Sequence, residues 1–299
     1  MNAVFAALAA HSGSDLIPAA PTNFQAASGG TNQIDQSWDW DVGSKSAVLN
    51  GFPAQIATDA AFSNIIGTAF IPVTTRAHSW TGLASNTTYY TRIRASNGTG
   101  ASDWATASGT TSSVPAPAAP SANEVIVSGV TTATQSWTDN ASTEIGFTVQ
   151  RATNSSFSAG LVSVDVAADT TSHAWTGLTE GTRYWYRVRA NGTDANSAWS
   201  NVDAASQQLA APTDMTATAM AGFYRLSWTD NSAHESNYEL WSDSGGGFSL
   251  TATLSANTTT YDTSQGPADQ IFKARATGTA PDSVFSNTAT VPAGSGGPA

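Results

Sequence analysis

The strongest constraint on the fold is an internal repeat. Residues 80–95 (WTGLASNTTYYTRIRA) align without a gap to residues 175–190 (WTGLTEGTRYWYRVRA), and a degenerate third copy, YDTSQGPADQIFKARA, occupies residues 261–276. A tryptophan stands upstream of each copy at a corresponding point; the three are Trp38, Trp137 and Trp228. Because self-similarity of this kind marks a repeated structural unit, the chain is predicted to hold three tandem modules of roughly 85 to 99 residues.

The repeated segment has the periodicity of a β-strand. In the second copy, Tyr184, Tyr186, Val188 and Ala190 alternate with Trp185, Arg187 and Arg189. A period of two is typical of a strand with one buried face. Turn-forming pairs such as Asn97-Gly98 and Asn191-Gly192 separate short apolar runs, and helical periodicity is absent. The pattern predicts an all-β protein built from sandwiches.

The spacing of these residues resembles the fibronectin type III module over residues 18–292. In each unit an early tryptophan is followed by the pattern L-x5-Y-x3-V-x-A or a variant of it. The resemblance implies three tandem immunoglobulin-like β-sandwiches in an elongated array, with the tryptophans between the sheets and a "tyrosine corner" at the conserved tyrosine of the family. The structural core residues it implies are Trp38, Trp137, Trp228, Tyr89, Tyr184, Leu83 and Leu178. The third copy has Ser264 and Gln270 at the leucine and tyrosine positions, so module 3 is predicted to lack the corner.

Composition shifts mark the boundaries between modules. The predicted divisions are an N-terminal arm (1–17), module 1 (18–112), a Pro/Ala linker (113–120), module 2 (121–209), module 3 (210–292) and a Gly/Pro tail (293–299). The first linker is expected to be extended and fairly stiff, whereas the second, Ala210-Ala211-Pro212, is so short that modules 2 and 3 must nearly touch.

The apolar run at residues 3–10 is too short for a membrane span, which needs about 20 residues. No Lys or Arg precedes Lys45, so residues 1–11 are interpreted as a docking arm, with a signal peptide as the alternative.

Composition also excludes several functions. The net charge is −11 with only 11 Lys and Arg, which disfavours nucleic-acid binding. There are no cysteines, which excludes disulfides, thiolate metal sites and cysteine nucleophiles. The G-x-S-x-G, H-E-x-x-H and P-loop patterns are missing, so no enzymatic activity and no cofactor are predicted.

Two sets of residues carry groups that could bind a metal or act in acid–base chemistry. The four histidines, which are not expected to converge, are His11, His78, His173 and His234. A calcium site is conceivable on one strand face that carries Asp35, Asp39 and Asp41, but the sequence shows no calcium-binding loop, and a solvated acidic face is the preferred interpretation.

The most informative surface pattern combines cations with aromatic side chains. Its members are Arg92, Arg94 and Trp104 in module 1, Arg187, Arg189 and Trp199 in module 2, Lys273, Arg275 and Phe285 in module 3, and Trp185 beside the second set. On neighbouring strands this spacing allows cation–π stacking, worth about 0.5–1 kcal/mol per exposed contact. One interpretation is a sugar-binding platform, and the other is a ladder that stiffens the sheet. Recurrence in every module favours the ladder.

The residues at the turns favour one functional class. The Thr-Asp-Asn turns at residues 138–140 and 229–231, with Glu144 and Glu235 close behind, resemble bacterial and bacteriophage versions of the module, and Arg-Gly-Asp is absent. The prediction is a non-enzymatic structural or interaction protein of a bacteriophage virion: a head or tail decoration, a fibre or an adhesion spacer. Its partners would be capsid or tail subunits, further copies of the chain, or a host-surface glycan. The alternative is a secreted or surface-attached bacterial adhesin or spacer with weak glycan binding, located outside the cell or on its surface.

Overall fold

A computed structural model of the 299-residue chain describes residues 17–40, 49–266 and 269–292. These residues form 22 strands and no helix. They divide into two compact units: the first runs to Ala116, includes Thr193–Ala195 and holds one β-sandwich, and the second holds two. The predicted fold class, all-β with tandem immunoglobulin-like sandwiches, is confirmed. Among the described residues there is no helix long and apolar enough to cross a membrane. Four predicted features lie outside these residues: the arm predicted at 1–17, apart from its last residue, the tail at 293–299, His11 and Asp41.

Module 1 consists of two antiparallel sheets. The first sheet has the order β1-β2-β5, with bounds β1 (Thr22–Gly30), β2 (Gln33–Asp39) and β5 (Ala77–Thr81). The second has the order β4-β3-β6-β8, with bounds β3 (Leu49–Ala57), β4 (Ile65–Ile71), β6 (Thr88–Ile93) and β8 (Ala105–Thr110); the short β7 (Ser96–Asn97) pairs with β3.

Modules 2 and 3 repeat this arrangement. The smaller sheets are β13-β10-β9 and β16-β17-β20, with bounds β9 (Ser121–Gly129), β10 (Thr132–Thr138), β13 (Ser172–Trp175), β16 (Thr213–Met220), β17 (Phe223–Thr229) and β20 (Thr260–Ser264). The larger sheets are β12-β11-β14-β15 and β19-β18-β21-β22, with bounds β11 (Gly146–Ala152), β12 (Val162–Val166), β14 (Arg183–Asn191), β15 (Asp203–Ser206), β18 (Asn237–Asp243), β19 (Ser249–Ser255), β21 (Gln270–Thr277) and β22 (Ala289–Val291).

A tryptophan from the second strand of each module lies between the sheets. The exposed fraction is 2% for Trp38 and 5% for both Trp137 and Trp228. Each indole contacts an aromatic ring of the facing sheet; for Trp137 this is Phe147, at 5.7 Å between centroids. Leu178 is buried in the second core, while Leu83 packs against the first core and is only partly buried.

Tyrosine corners are present in modules 1 and 2. The hydroxyl of Tyr89 accepts a hydrogen bond from the Ala84 N–H at 3.0 Å, and that of Tyr184 accepts one from the Thr179 N–H at 3.1 Å. At the same point in module 3, the side-chain oxygen of Gln270 is buried and has no hydrogen-bond partner within the described part of the chain.

The third core is completed differently. Leu209, assigned from sequence to the end of module 2, is 1% exposed and belongs to the core cluster of module 3. The Tyr224 hydroxyl donates to the Pro292 carbonyl at 3.0 Å, which ties β17 to the residue after β22.

Two tyrosines on β14 predict opposite effects of the same substitution. The Tyr184 hydroxyl makes the corner bond, whereas the Tyr186 hydroxyl is buried and unpaired in a fully buried side chain, where module 3 has Phe272. Tyr184→Phe should lower the free energy of unfolding by about 1 kcal/mol, and Tyr186→Phe should leave it unchanged or raise it by up to about 1 kcal/mol. Urea unfolding of the two variants checks this, and equal losses would contradict the assignment.

The missing corner predicts faster local opening in module 3. Residues 270–276 should exchange their amide hydrogens more readily than residues 184–190, since Gln270 makes no bond equivalent to that of Tyr184. Hydrogen-exchange mass spectrometry of the full chain measures this. Equal protection of the two segments would mean that the bond made by Tyr224 fully replaces the corner.

Candidate functional site

The central strand pair of each larger sheet places the cations on the outer face. Arg92 lies opposite Gln55, and Arg187 opposite Gln150. Because side chains alternate along a strand, the residues on either side of Arg187 point into the core, as their full burial shows. The sequence pattern therefore positions a row of cations across each sheet.

The first cation of each module lies between two aromatic rings. The guanidinium carbon of Arg92 is 4.3 Å from the ring centroid of Phe62 and 4.5 Å from that of Trp104. For Arg187 the distances are 4.0 Å to Phe157 and 4.1 Å to Trp199. In module 3 the arrangement is the same, with the Lys273 ammonium 3.8 Å from the ring centroid of Phe248 and 4.0 Å from that of Phe285. We call these three arrangements the cation–aromatic stacks.

Sequence reasoning missed one ring of every stack. The missed residues are Phe62, Phe157 and Phe248. Each is followed by serine and preceded by a turn-forming Asp or Asn, so the recurrent Phe-Ser pair was the available signal.

The turn that carries the missed ring is held by its own side chain. Asp59 accepts hydrogen bonds from the N–H groups of Ala61, Ser63 and Asn64 at 2.7–3.0 Å. These bonds, led by that of Ser63, lower the pKa of the Asp59 carboxyl. Asp243 in module 3 is held in the same way, and the N–H of Gly245 lowers its pKa. Local hydrogen bonds therefore fix the path of these two loops in addition to the stacked rings.

Side-chain amides orient the stacked arginines. The Arg92 Nε donates to Gln55 Oε1 at 2.7 Å, and the Arg187 Nε donates to Gln150 Oε1 at 2.8 Å. Burial, followed by the charge of Arg189, lowers the pKa of Arg187. The amide oxygen and the two rings together offset the loss of hydration of this cation.

The second cation of each module extends the stack on one side. Arg94 lies 4.4 Å from Trp104, and Arg189 lies 4.7 Å from Trp199. In module 3 the equivalent is Arg275, 5.3 Å from Phe285. Arg275 also pairs with Glu239 at 2.7 Å and Asp282 at 3.2 Å, so the third stack is reinforced by ion pairs.

Trp185 lies on the outer face of β14, beside the stack of module 2. It shares this face with Arg187, but the cation over its ring is Arg183, whose guanidinium carbon lies 5.2 Å from the ring centroid. Among the described contacts, it is therefore a separate cation–aromatic pair beside the stack of module 2.

The geometry determines what the stacks can bind. The two ring faces that point at each other are filled by a cation in all three modules. A sugar ring that stacked between them would have to displace the cation. The arrangement therefore favours a stiffening role over a carbohydrate platform.

The three histidines of the described residues lie apart from one another. His78 and His173 each contact the edge of a core tryptophan, Trp80 and Trp175, at 4.6 Å, in separate modules. Burial lowers the pKa of both imidazoles. His234 lies elsewhere, 4.0 Å from a carboxylate oxygen of Glu180.

The lowered pKa values predict an acid sensitivity that module 3 lacks. An imidazole that titrates below its ordinary value of 6.5 binds fewer protons when folded than when unfolded, so stability falls as the pH drops through 6.5. His173→Gln should reduce this loss for module 2, whereas module 3, with Thr259 at the equivalent point, should not show it. Thermal unfolding between pH 7 and pH 5 checks this. A profile unchanged by the substitution would contradict the assignment.

Asp35 and Asp39, the two described members of the acidic set, accept hydrogen bonds from different partners. Asp35 accepts from Gln33 Nε2 at 2.6 Å and Ser79 Oγ at 2.5 Å, while Asp39 accepts from Asn23 Nδ2 at 2.8 Å. The described chain brings a different set of carboxylates within 4.8 Å of one another: Asp139, Glu144 and Asp169.

Modules 2 and 3 are in direct contact around Glu180. We call the hydrogen bonds of this side chain to module 3 the joint. The Glu180 side chain is 12% exposed and accepts hydrogen bonds from the Ala210 N–H at 2.7 Å, the Ser232 hydroxyl at 2.5 Å and the Ala233 N–H at 3.3 Å. The Leu209 N–H donates to the Pro281 carbonyl at 3.1 Å. Contact between these modules agrees with the shortness of the linker.

The asparagine of each Thr-Asp-Asn turn donates hydrogen bonds to the segment that leads into its module. Asn231 Nδ2 donates to the Ala211 carbonyl at 2.9 Å and to Thr213 Oγ1 at 3.0 Å. Asn140 does the same to the Ala119 carbonyl and Ser121 Oγ, both at 2.9 Å. The repeated turn thus fixes the segment that leads into each module.

Comparison with known proteins gives a likeness of fold only. No protein-family model and no curated protein match the chain. Among solved structures, the crystal structure of chicken CNTN1 FN1-FN3 domains aligns with 14% identity and a TM-score of 0.32, over 93% of this chain and 99% of that chain. The assignment of the fold here follows from strand order and register.

Proposed function

We propose that this chain is a non-enzymatic structural and interaction protein whose modules hold attached partners at a set spacing. The observation that carries the proposal is the joint, where a largely buried carboxylate of module 2 accepts three hydrogen bonds from module 3. A charge placed this far from water is costly unless it is fully paired. A buried and paired carboxylate at this junction favours a fixed geometry between modules 2 and 3 over a flexible connection.

The cation–aromatic stacks support the same function. Each stack joins a loop, a central strand and the segment before the last strand of its sheet. Side chains that on another surface would bind a ligand are here occupied with one another. Such a face resists deformation and is suited to a spacer.

We further propose that the array belongs to a bacteriophage virion, as a decoration, fibre or adhesion spacer in contact with capsid or tail subunits. Support comes from the resemblance of the Thr-Asp-Asn turns to those of bacterial and bacteriophage modules, and from the absence of an Arg-Gly-Asp motif. The acidic net charge of −11 suits a protein surface exposed to solvent.

Fractionation of the source culture tests the virion assignment. Particles from a lysate are banded on a density gradient, washed in high salt and analysed by quantitative mass spectrometry. We expect the chain to band with the particles at a fixed ratio to their most abundant protein. Recovery from the cell envelope or from particle-free medium alone would contradict the virion assignment and favour the adhesin alternative.

Activity measurements test the non-enzymatic assignment. The purified full chain is expected to give no turnover of glycosidic, ester or peptide substrates. Saturable hydrolysis that is lost on substitution of a single residue would contradict it.

A further inference from the structure

Arg189 of module 2 and Arg275 of module 3 occupy equivalent positions but differ in their partners. Each is the second cation of its cation–aromatic stack. The Arg275 guanidinium donates from Nε to Glu239 Oε2 at 2.8 Å and pairs through Nη1 with Asp282 at 3.2 Å. The Arg189 guanidinium makes no hydrogen bond or ion pair within the described residues, and its Nε is buried.

Two differences in sequence explain why Arg189 lacks a carboxylate partner. Glu239 lies opposite the arginine of module 3 on the neighbouring strand, and Thr148 lies opposite that of module 2. Asp282 and Asn196 also stand at equivalent places, each directly before a serine whose N–H donates at 2.9 Å to the carbonyl of the residue after the arginine. Both carboxylates of module 3 are therefore replaced by neutral side chains in module 2.

The other acid on the same row of the sheet does not take over this role. Asp165 lies beyond Thr148 on β12 and accepts a hydrogen bond from its hydroxyl at 2.7 Å. Within the described residues no acid forms an ion pair with Arg189. Since residues 121–209 are all described, this statement covers the whole of module 2.

Three arginines share the outer face of β14. Arg183 and Arg187 lie on the same side of the strand as Arg189, because side chains alternate along a strand. None of the three forms an ion pair within the part of the chain that the structure describes. This group of cations contrasts with the net charge of −11 on the whole chain, and it favours an acidic ligand at this face.

We propose that Arg189 binds the carboxylate of an Asp or Glu side chain in an acidic segment of a partner protein. Module 3 indicates the chemistry of the occupant, since a glutamate and an aspartate of the chain itself fill the equivalent place. Hydrogen bonds between a guanidinium and a carboxylate are charge-assisted and stronger than neutral ones. Arg189 is partly exposed, so a ligand can reach it from solvent, and Trp199 at 4.7 Å supports the guanidinium. The inference concerns module 2 alone and depends on neither the spacer function nor the virion assignment.

Nuclear magnetic resonance of the full chain tests the proposal through the Nε–H signals of its arginines. A blocked oligoglutamate peptide is the probe, and an oligoglutamine peptide of the same length is the neutral control. The Arg189 signal, assigned by its loss in Arg189→Gln, should shift saturably with a dissociation constant of about 0.1–1 mM, as expected for a small contact. The Arg275 signal is an internal reference that should not move, because its Nε already donates to Glu239.

Asn196→Asp tests the site by filling it from within the chain. Asn196 is exposed, and its Oδ1 accepts the Gly192 N–H at 3.3 Å, a bond that an aspartate can keep. The added carboxylate stands where module 3 has Asp282, so this variant should bind oligoglutamate at least roughly tenfold more weakly. Ser172→Glu is the matched control: it adds the same charge at an exposed position of the smaller sheet and should change the affinity less than about twofold, because salt screens distant charges.

Four outcomes would overturn the proposal. The first is an Arg189 signal that does not move with oligoglutamate up to about 10 mM, or that moves equally with oligoglutamine. The second is an equal effect of Asn196→Asp and Ser172→Glu. The third is tighter binding of an oligogalacturonate than of oligoglutamate, which would identify an acidic polysaccharide as the partner. The fourth is a shift of the Arg189 signal, without peptide, in Asp15→Asn or Asp41→Asn, because the two acidic side chains outside the described residues would then supply the carboxylate.

Discussion

Replacing Trp137 with alanine is expected to lower the free energy of unfolding of module 2 by about 3–5 kcal/mol, the range for emptying a large aromatic site in a core. The indole is 5% exposed and packs against Phe147 between the two sheets. Its N–H has no hydrogen-bond partner within the described residues, so the loss arises from packing. Urea unfolding followed by tryptophan fluorescence or circular dichroism measures it.

Trp185→Ala is the matched control for this prediction. Trp185 lies on the outer face of β14, where its ring contacts Arg183, and only part of its surface is buried. Its removal is expected to cost less than about half as much, since exposed cation–π contacts are weak. Equal losses for the two variants would contradict the placement of Trp137 as the centre of the core.

Glu180→Ala is expected to weaken the coupling between modules 2 and 3 by about 2–4 kcal/mol, because hydrogen bonds to charged groups contribute more than neutral ones and their loss leaves buried donors unpaired. The affected donors are the Ala210 N–H and the Ser232 hydroxyl. In scanning calorimetry, module 3 should unfold at a lower temperature and more independently of module 2.

The control for Glu180 is another glutamate of the same module. Glu124→Ala removes an exposed carboxylate on β9 and should leave the calorimetric profile unchanged. A profile for Glu180→Ala that matches that of Glu124→Ala would mean that the joint contributes nothing to coupling. Such a result would remove the observation on which the proposed spacer function rests.

The repeat was sufficient to predict the fold. Trp38 and its equivalents mark the strand that faces the core, and the alternation from Tyr184 to Ala190 identifies the central strand of the opposite sheet. These residues are informative because sandwich cores require large side chains at a period of two. The end of module 2 was not predictable in this way, since Leu209 is one apolar residue in a short polar segment and only its packing assigns it to module 3.

The site was predictable in part. The cations and the aromatic residues after them recur at a fixed spacing, and local alternation places them on one face. Phe62 and its equivalents were missed because they come from a loop, whose path depends on turn bonds such as those of Asp59. Glu180 was missed for another reason: module 1 has Ser85 at the aligned position, and a sequence does not say which loop faces the next module.

The most direct test of the central claim is the distance distribution between modules 2 and 3. The chain has no native cysteine, so nitroxide labels can be attached at Ser155→Cys and Ser249→Cys, two exposed positions, and measured by double electron–electron resonance. The account predicts one narrow distribution for the wild-type background, unchanged by Glu124→Ala and broadened by Glu180→Ala. A wild-type distribution as broad as that of the Glu180 variant would contradict a fixed joint, and with it the function proposed for the array.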